Sequence, residues 1–183
     1  MLFPAVLDAN VLVPIHLTDL LLRLAEVETY RPLWSEQILR EVERNLPKVG
    51  VTIEKAARRV NIMRREFPDA MVTGYEPLIE VMTNDRKDRH VLAAAVRANA
   101  EIIVTDNARH FPRAATEPYD IGVVHPDDFL LDQLDLYEEE TLWCIQQLVA
   151  DRKNPHTPMP HFLEQFRATV PAFVDAVSPL LHH

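Results

Sequence analysis

Asp88, Val91, Leu92 and Ala95 stand at i, i+3, i+4 and i+7 within residues 84–96, so a helix there places a carboxylate on the stripe that faces the core. Asp85, one turn earlier, falls on the same side. An ionised group inside an apolar interior costs several kcal/mol unless a cation, a set of donors or a water-filled cleft receives it. A local role is open as well: Asp85 as N-cap and Asp88 in the first turn can satisfy orphan N–H groups and the macrodipole for about 0.5–2 kcal/mol. Other acids at comparable places bear on the choice. Asp8 follows the apolar run Ala5-Val6-Leu7, Glu41 lies at the edge of a helical stripe, and Thr105, Asp106 and Asn107 follow Ile102-Ile103-Val104. Strand carboxyl ends lie on one side of a parallel sheet, so these groups could meet in one acidic cleft. Crowded carboxylates repel unless a hard cation neutralises them, and Mg²⁺ or Mn²⁺ takes oxygen ligands while keeping several waters. Such a site can lower the pKa of a bound water and stabilise in-line attack on phosphate.

The elements that must position these residues follow from periodicity. Residues 3–7 read as a buried strand, and a helix is predicted over about 14–27 with Ile15, Leu20, Leu21 and Leu24 on its packing face. A short strand over 30–34 leads to Ser35, a good N-cap, and a helix to Leu46 stopped by Pro47, with Ile38, Leu39, Val42 and Leu46 buried. Glu41 and Asn45 share one edge of that stripe, whereas Glu36 and Glu43 read as solvated charge. A third helix spans about 53–67 and carries Arg58, Arg59, Arg64 and Arg65. These arginines form a local basic cluster, open to two roles: a solvated face with intrahelical pairs such as Glu54–Arg58, or a surface that steers RNA backbone. A short helix near 77–82 precedes the helix over 85–99, and the strand 101–107 follows. A turn at 108–112 with Phe111 beneath it, a strand at 121–124 and a helix from Phe129 complete an alternation that predicts a parallel α/β sheet. Residues 127–183 read as helical only, over 129–136, 139–152 and 162–181, with Pro171 breaking the last. Part of this tail's apolar face is expected to cover the α/β core or a partner. The expected organisation is an α/β domain over 1–126 and a helical C-terminal extension over 127–183.

Composition bounds the partners. A net charge of −9 opposes broad nucleic-acid binding, so phosphate contact must be local or run through a metal held by carboxylates. No apolar run approaches the roughly 20 residues of a spanning helix, and the amino end has no basic n-region, so no membrane association and a cytoplasmic protein are expected. Lone Cys144 excludes an intramolecular disulfide framework and a Cys-rich zinc site, and reads as an apolar helix residue. Only 3 glycines are present, too few for a glycine-rich phosphate cradle. The closing His182-His183 is open to being the remnant of an affinity tag and is given no function.

Four blocks of this chain, Asp-Ala-Asn-Val-Leu at 8–12, Leu-Arg-Glu-Val-Glu-Arg-Asn-Leu at 39–46, Asp-Arg-His-Val-Leu-Ala-Ala-Ala at 88–95 and Val-Thr-Asp-Asn-Ala-Arg-His-Phe-Pro at 104–112, resemble the PIN-domain family in order and separation. The resemblance covers about residues 3–130, and the segment beyond 126 is similar to the helical tail of one branch, the VapC-like ribonucleases of toxin–antitoxin pairs. It implies a three-layer α/β/α fold with a central parallel sheet. It also implies an endoribonuclease dependent on Mg²⁺ or Mn²⁺ that leaves 5′-phosphate and 3′-hydroxyl ends. Carried over by position, Asp8 and Asp88 are implied metal ligands, with Glu41 completing the site directly or through a water. Thr105 is implied to hydrogen-bond the acidic cluster. In many members the fourth acid is the third residue after the strand; here that slot holds Asn107, with Asp106 one residue early, and either could serve. Asp85 is a secondary candidate. No covalent nucleophile is needed, and His90, some 200° around the helix from Asp88, is not expected to act as a general base. A cognate antitoxin and a homodimer are the implied protein partners.

Two rival functions have signatures here. A dehalogenase-like phosphotransfer fold also places Asp after strand 1, but Asp8 is followed by Ala9-Asn10 with no second acid two residues on. A PIN-fold module that binds RNA or protein with weak or lost nuclease activity is consistent with Asn107 in the fourth slot.

Overall fold

The computed structural model describes residues 2–181, and His182 and His183 lie outside it. The first strand, β1 (Pro4–Leu7), leads through a 3-10 turn at Ala9–Val11 into α1 (Ile15–Glu26). Next come β2 (Arg31–Ser35), α2 (Glu36–Asn45), α3 (Ile53–Glu66), β3 (Met71–Val72) and α4 (Glu76–Ile79). The rest of the α/β part is α5 (Arg89–Arg97), β4 (Ile102–Val104), α6 (Arg113–Thr116) and β5 (Gly122–Val124). The strands form a parallel sheet in the order β3-β2-β1-β4-β5 with helices around it. Central strand β1 is flanked by parallel neighbours, which explains its uninterrupted apolar run: Ala5, Val6 and Leu7 are fully buried.

Register positions the chemistry. Leu7 pairs with Val104, so Asp8 and Thr105, each one residue beyond its strand, emerge side by side. The ladder continues past both strands, with Asp8 N–H donating to Val104 O at 3.1 Å and Thr105 N–H to Val124 O at 3.0 Å. At the next strand end Ser35 caps α2, its hydroxyl accepting from the Ile38 N–H at 3.2 Å, and α2 packs on the turn after β1.

The predicted helix over 85–99 divides in two. Arg86–Asp88 is a 3-10 turn, and Asp88, at φ −110° and ψ 10°, stands outside helical geometry before α5 begins. The i, i+3, i+4, i+7 pattern therefore does not run through Asp88 as a continuous helix. Strand β3 was not foreseen, because two residues after Pro68 give no periodicity to detect. The short helix predicted near 77–82 lies earlier, as α4.

The chain closes with α7 (Pro126–Leu136), α8 (Glu138–Ala150), α9 (Met159–Arg167) and α10 (Pro171–Val177). Helix α7 begins three residues before the predicted Phe129, because Pro126 suits the first helical position and His125 supplies the cap. Pro171 divides the last helical stretch, which itself begins at Met159 instead of Phe162. The tail lies on the core: the Phe129 ring meets Tyr30 edge-on at 5.1 Å, Phe162 meets His16 at 4.9 Å, and Arg23 pairs with Asp151 at 2.8 Å. Cys144 is fully buried on α8. Among the described residues no helix is long and apolar enough to cross a membrane.

Candidate metal centre

Asp8 is 3% exposed. Its Oδ1 accepts the Ala9 N–H at 2.7 Å, and its Oδ2 accepts from the Thr105 hydroxyl at 2.8 Å and the Asn10 amide at 3.3 Å. Burial pushes its pKa up to about 6; the Thr105 hydrogen bond opposes this, and the negative charges of Asp88 and Glu41 add to it. The strand end, the 3-10 turn before α5 and the edge of α2 thus bring three acids close enough for Asp8 to feel the other two.

Asp88 is mostly buried and forms no side-chain cap; instead its Oδ2 lies 2.6 Å from His110 Nδ1. Capping falls to Asp85, whose Oδ1 accepts the Lys87 N–H at 3.0 Å. One ligating atom from each of Asp85, Asp88 and His110 lies within 4.8 Å of the others. Glu41 lies beside a different histidine: its Oε1 is 2.9 Å from Nε2 of buried His90, off the hydrogen-bond direction.

Thr105 is the hub of the next layer. Fully buried, it donates to Asp8, while its oxygen accepts from the Asn10 side chain and the Asn107 N–H, both at 3.1 Å. The two fourth-slot candidates diverge. Asp106 is 64% exposed and its Oδ1 takes a 2.8 Å contact from His125 Nε2, whereas Asn107 is half-buried on the Thr105 side.

The arginines do not act as one surface. Arg59 donates to Leu12 O at 3.0 Å and Val13 O at 3.2 Å, tying α3 to the turn after Asp8. Burial lowers its pKa, against the pull of Asp19. Arg64 is engaged by Glu36 at 2.5 Å and Asn61 at 2.8 Å. Arg59 and Arg64 thus have partners within the protein, and Glu36 is an ion-pair partner and not merely solvated charge. Arg58 and Arg65 are exposed and, seven residues apart, share one helix face.

Asn10, His90, His110 and His125 are site residues that no role was assigned to from sequence, although Asn10, His90 and His110 lie inside the quoted blocks. Among the described residues neither Asp8 nor Asp88 pairs with lysine or arginine, and the basic group against Asp88 is the His110 imidazole. Carboxylate oxygens that no lysine or arginine neutralises fit a hard divalent ion such as Mg²⁺ or Mn²⁺.

Comparison with known proteins gives the chain's family. A family model described as PIN domain matches residues 4–109, and one described as VapC50 C-terminal domain matches residues 126–179. Among curated proteins, "Putative ribonuclease VapC50" of Mycobacterium tuberculosis is 52% identical over 104 residues, a match covering 57% of this chain and 62% of the relative's length. No solved structure matches the chain.

Proposed function

The chain belongs to the PIN-domain family, and from that premise we propose that it is an endoribonuclease dependent on Mg²⁺ or Mn²⁺, the toxin of a toxin–antitoxin pair. The observation that carries the reading is buried Asp8, raised to about 6 beside Asp88 and Glu41 at the carboxyl end of the central strands. In this reading residues 1–126 are the nuclease unit and residues 127–183 the helical extension packed on it.

Asp8 and Asp88 would hold the ion, with Glu41 reaching it directly or through a water. When bound, the ion supplies Lewis-acid polarisation of the phosphodiester and makes water a competent nucleophile near neutral pH. Thr105 and Asn10 fix the Asp8 carboxylate, so its orientation costs little when an ion arrives. His110 does the same for Asp88, while His90 stands beside Glu41 without a hydrogen bond to it. Of the fourth-slot candidates, Asn107 is favoured over Asp106, whose carboxylate is already engaged by His125. Hydrolysis then leaves 5′-phosphate and 3′-hydroxyl ends. The same kinship supports a cognate antitoxin, a homodimer and a cytoplasmic site of action.

A neutral Asn107 also favours a second reading, a PIN-fold module that binds RNA or protein with weak or lost nuclease activity. A panel of single-stranded RNAs titrated with Mg²⁺ or Mn²⁺ separates them. The nuclease cuts only with metal and stops cutting as Asp88→Asn; binding without cutting in both proteins supports the module.

Arg58 and Arg65 are the exposed arginines of α3, Arg65 with its Nε 2.8 Å from Glu66, and in this reading they meet RNA. Replacing both with Gln is expected to weaken RNA binding and to flatten the log Kd against log salt slope by about 1.4, the counterion release of two phosphates on a single strand. Fluorescence anisotropy at several salt concentrations reads this. An unchanged slope removes RNA steering from α3.

A further inference from the structure

An unbroken series of hydrogen bonds joins the helical extension to the candidate metal centre. Asp127 on α7 receives the Ala172 and Phe173 N–H groups at the start of α10, at 3.0 and 2.7 Å. Its own N–H donates to His125 Nδ1 at 3.1 Å. An Nδ1 that accepts leaves the neutral imidazole proton on Nε2, and Nε2–H points at Asp106 Oδ1, 2.8 Å away. The Asp106 N–H in turn donates to Asn10 Oδ1 at 3.0 Å. From Asn10 the side-chain amide reaches Asp8 and Thr105. A small cavity occupies the same place, walled by Asn10, Asp106 and Pro126 and by Ala168 and Thr169 from the turn between α9 and α10.

From this arrangement we propose that His125 is a positioning residue, through which the helical extension holds the 105–107 turn in the geometry of the acidic cleft. Its two ring nitrogens have separate duties: Nδ1 caps α7 and thereby meets the tail, while Nε2 fixes the turn. An exposed carboxylate such as Asp106 would otherwise be free to turn into water, and the Asn10 contact that orders Asp8 would lose its anchored partner. The consequence for catalysis rests on the nuclease reading; the coupling itself does not.

The two duties can be separated by substitution. In His125→Asn the side-chain oxygen takes the place of Nδ1 and keeps the cap, Asn being a favoured N-cap residue, but nothing reaches Asp106. In His125→Gln the amide nitrogen reaches the place of Nε2 and restores that contact. Hydrogen–deuterium exchange is measured at the Asp106 and Asn107 amides of the metal-free full chain, and Mn²⁺ affinity by calorimetry. His125→Asn should exchange several-fold faster at these two amides and bind Mn²⁺ about tenfold more weakly, the scale of losing an outer-shell partner. His125→Gln should return both toward wild type; the melting temperature of His125→Asn should stay near wild type, and that of His125→Gln, which lacks the cap on α7, should fall. Unchanged exchange in His125→Asn, or His125→Gln no better than His125→Asn, overturns the proposal. If the wild type neither binds Mn²⁺ nor cuts RNA, the nuclease reading fails while the exchange data still decide the coupling.

Discussion

Asp8→Asn is expected to lower metal-dependent RNA cleavage by about 100-fold or more, the scale set by losing one preorganised group that stabilises developing charge. The substitution is close to isosteric. The amide oxygen can still accept from the Thr105 hydroxyl or the Ala9 N–H, so the turn after β1 and the ladder to Val104 are preserved. What disappears is the negative charge that draws a divalent ion to the strand end. Single-turnover cleavage at several Mn²⁺ concentrations reads the effect, and added Mn²⁺ should recover only part of it. Activity within a few-fold of wild type would take Asp8 out of the centre.

The same substitution should make the metal-free protein more stable, which distinguishes a functional acid from a structural one. The Asp8 carboxyl is raised from its ordinary value of 3.8 to about 6, first by burial and then by the charges of Asp88 and Glu41. A carboxyl whose pKa is higher folded than unfolded binds more protons in the native state between those values. Stability therefore falls as pH rises from about 4 to 6, and stays lowered above that window. At about 1.36 kcal/mol per pK unit, Asp8 withdraws roughly 3 kcal/mol from the metal-free fold at neutral pH. Denaturant unfolding with chelator present, at pH 4 and pH 7.5, should show this loss in wild type and not in Asp8→Asn. Mn²⁺ at 100 times its Kd should then restore about 2.7 kcal/mol to wild type and much less to Asp8→Asn. Equal pH profiles for the two proteins would mean that Asp8 has an ordinary carboxyl and stores no strain for an ion to relieve.

Why some of this was legible in the sequence and some was not has a physical basis. A central parallel strand is buried on both faces, so Ala5-Val6-Leu7 and Ile102-Ile103-Val104 announce themselves as apolar runs, and the polar residue that ends each run is conspicuous. The strand–helix alternation fixes which side those ends share. Register is another matter: Asp8 and Thr105 meet because Leu7 pairs with Val104, a contact between segments about a hundred residues apart that no local period encodes. The histidines were missed for the same reason. His110 finds Asp88 across a turn, His90 finds Glu41 across two helices, and His125 finds Asp106 across β5. Arg59 looked like part of a basic face because counting charge along a helix ignores what else needs a donor. The Leu12 and Val13 carbonyls, beyond the 3-10 turn, take its guanidinium. At Asp88 the apolar period survived while the backbone left helical geometry, so the residue reached the cleft by a route the helical wheel did not describe.

The ion's place can be read from crystals of the full chain grown with Mn²⁺ and measured for anomalous scattering. A single strong peak, or a close pair, is expected, bonded to carboxylate oxygens of both Asp8 and Asp88, with Glu41 bonded to it or one water away. Manganese elsewhere on the molecule, or an Asp8–Asp88 cleft filled by a lysine or arginine side chain with no ion, would contradict this placement.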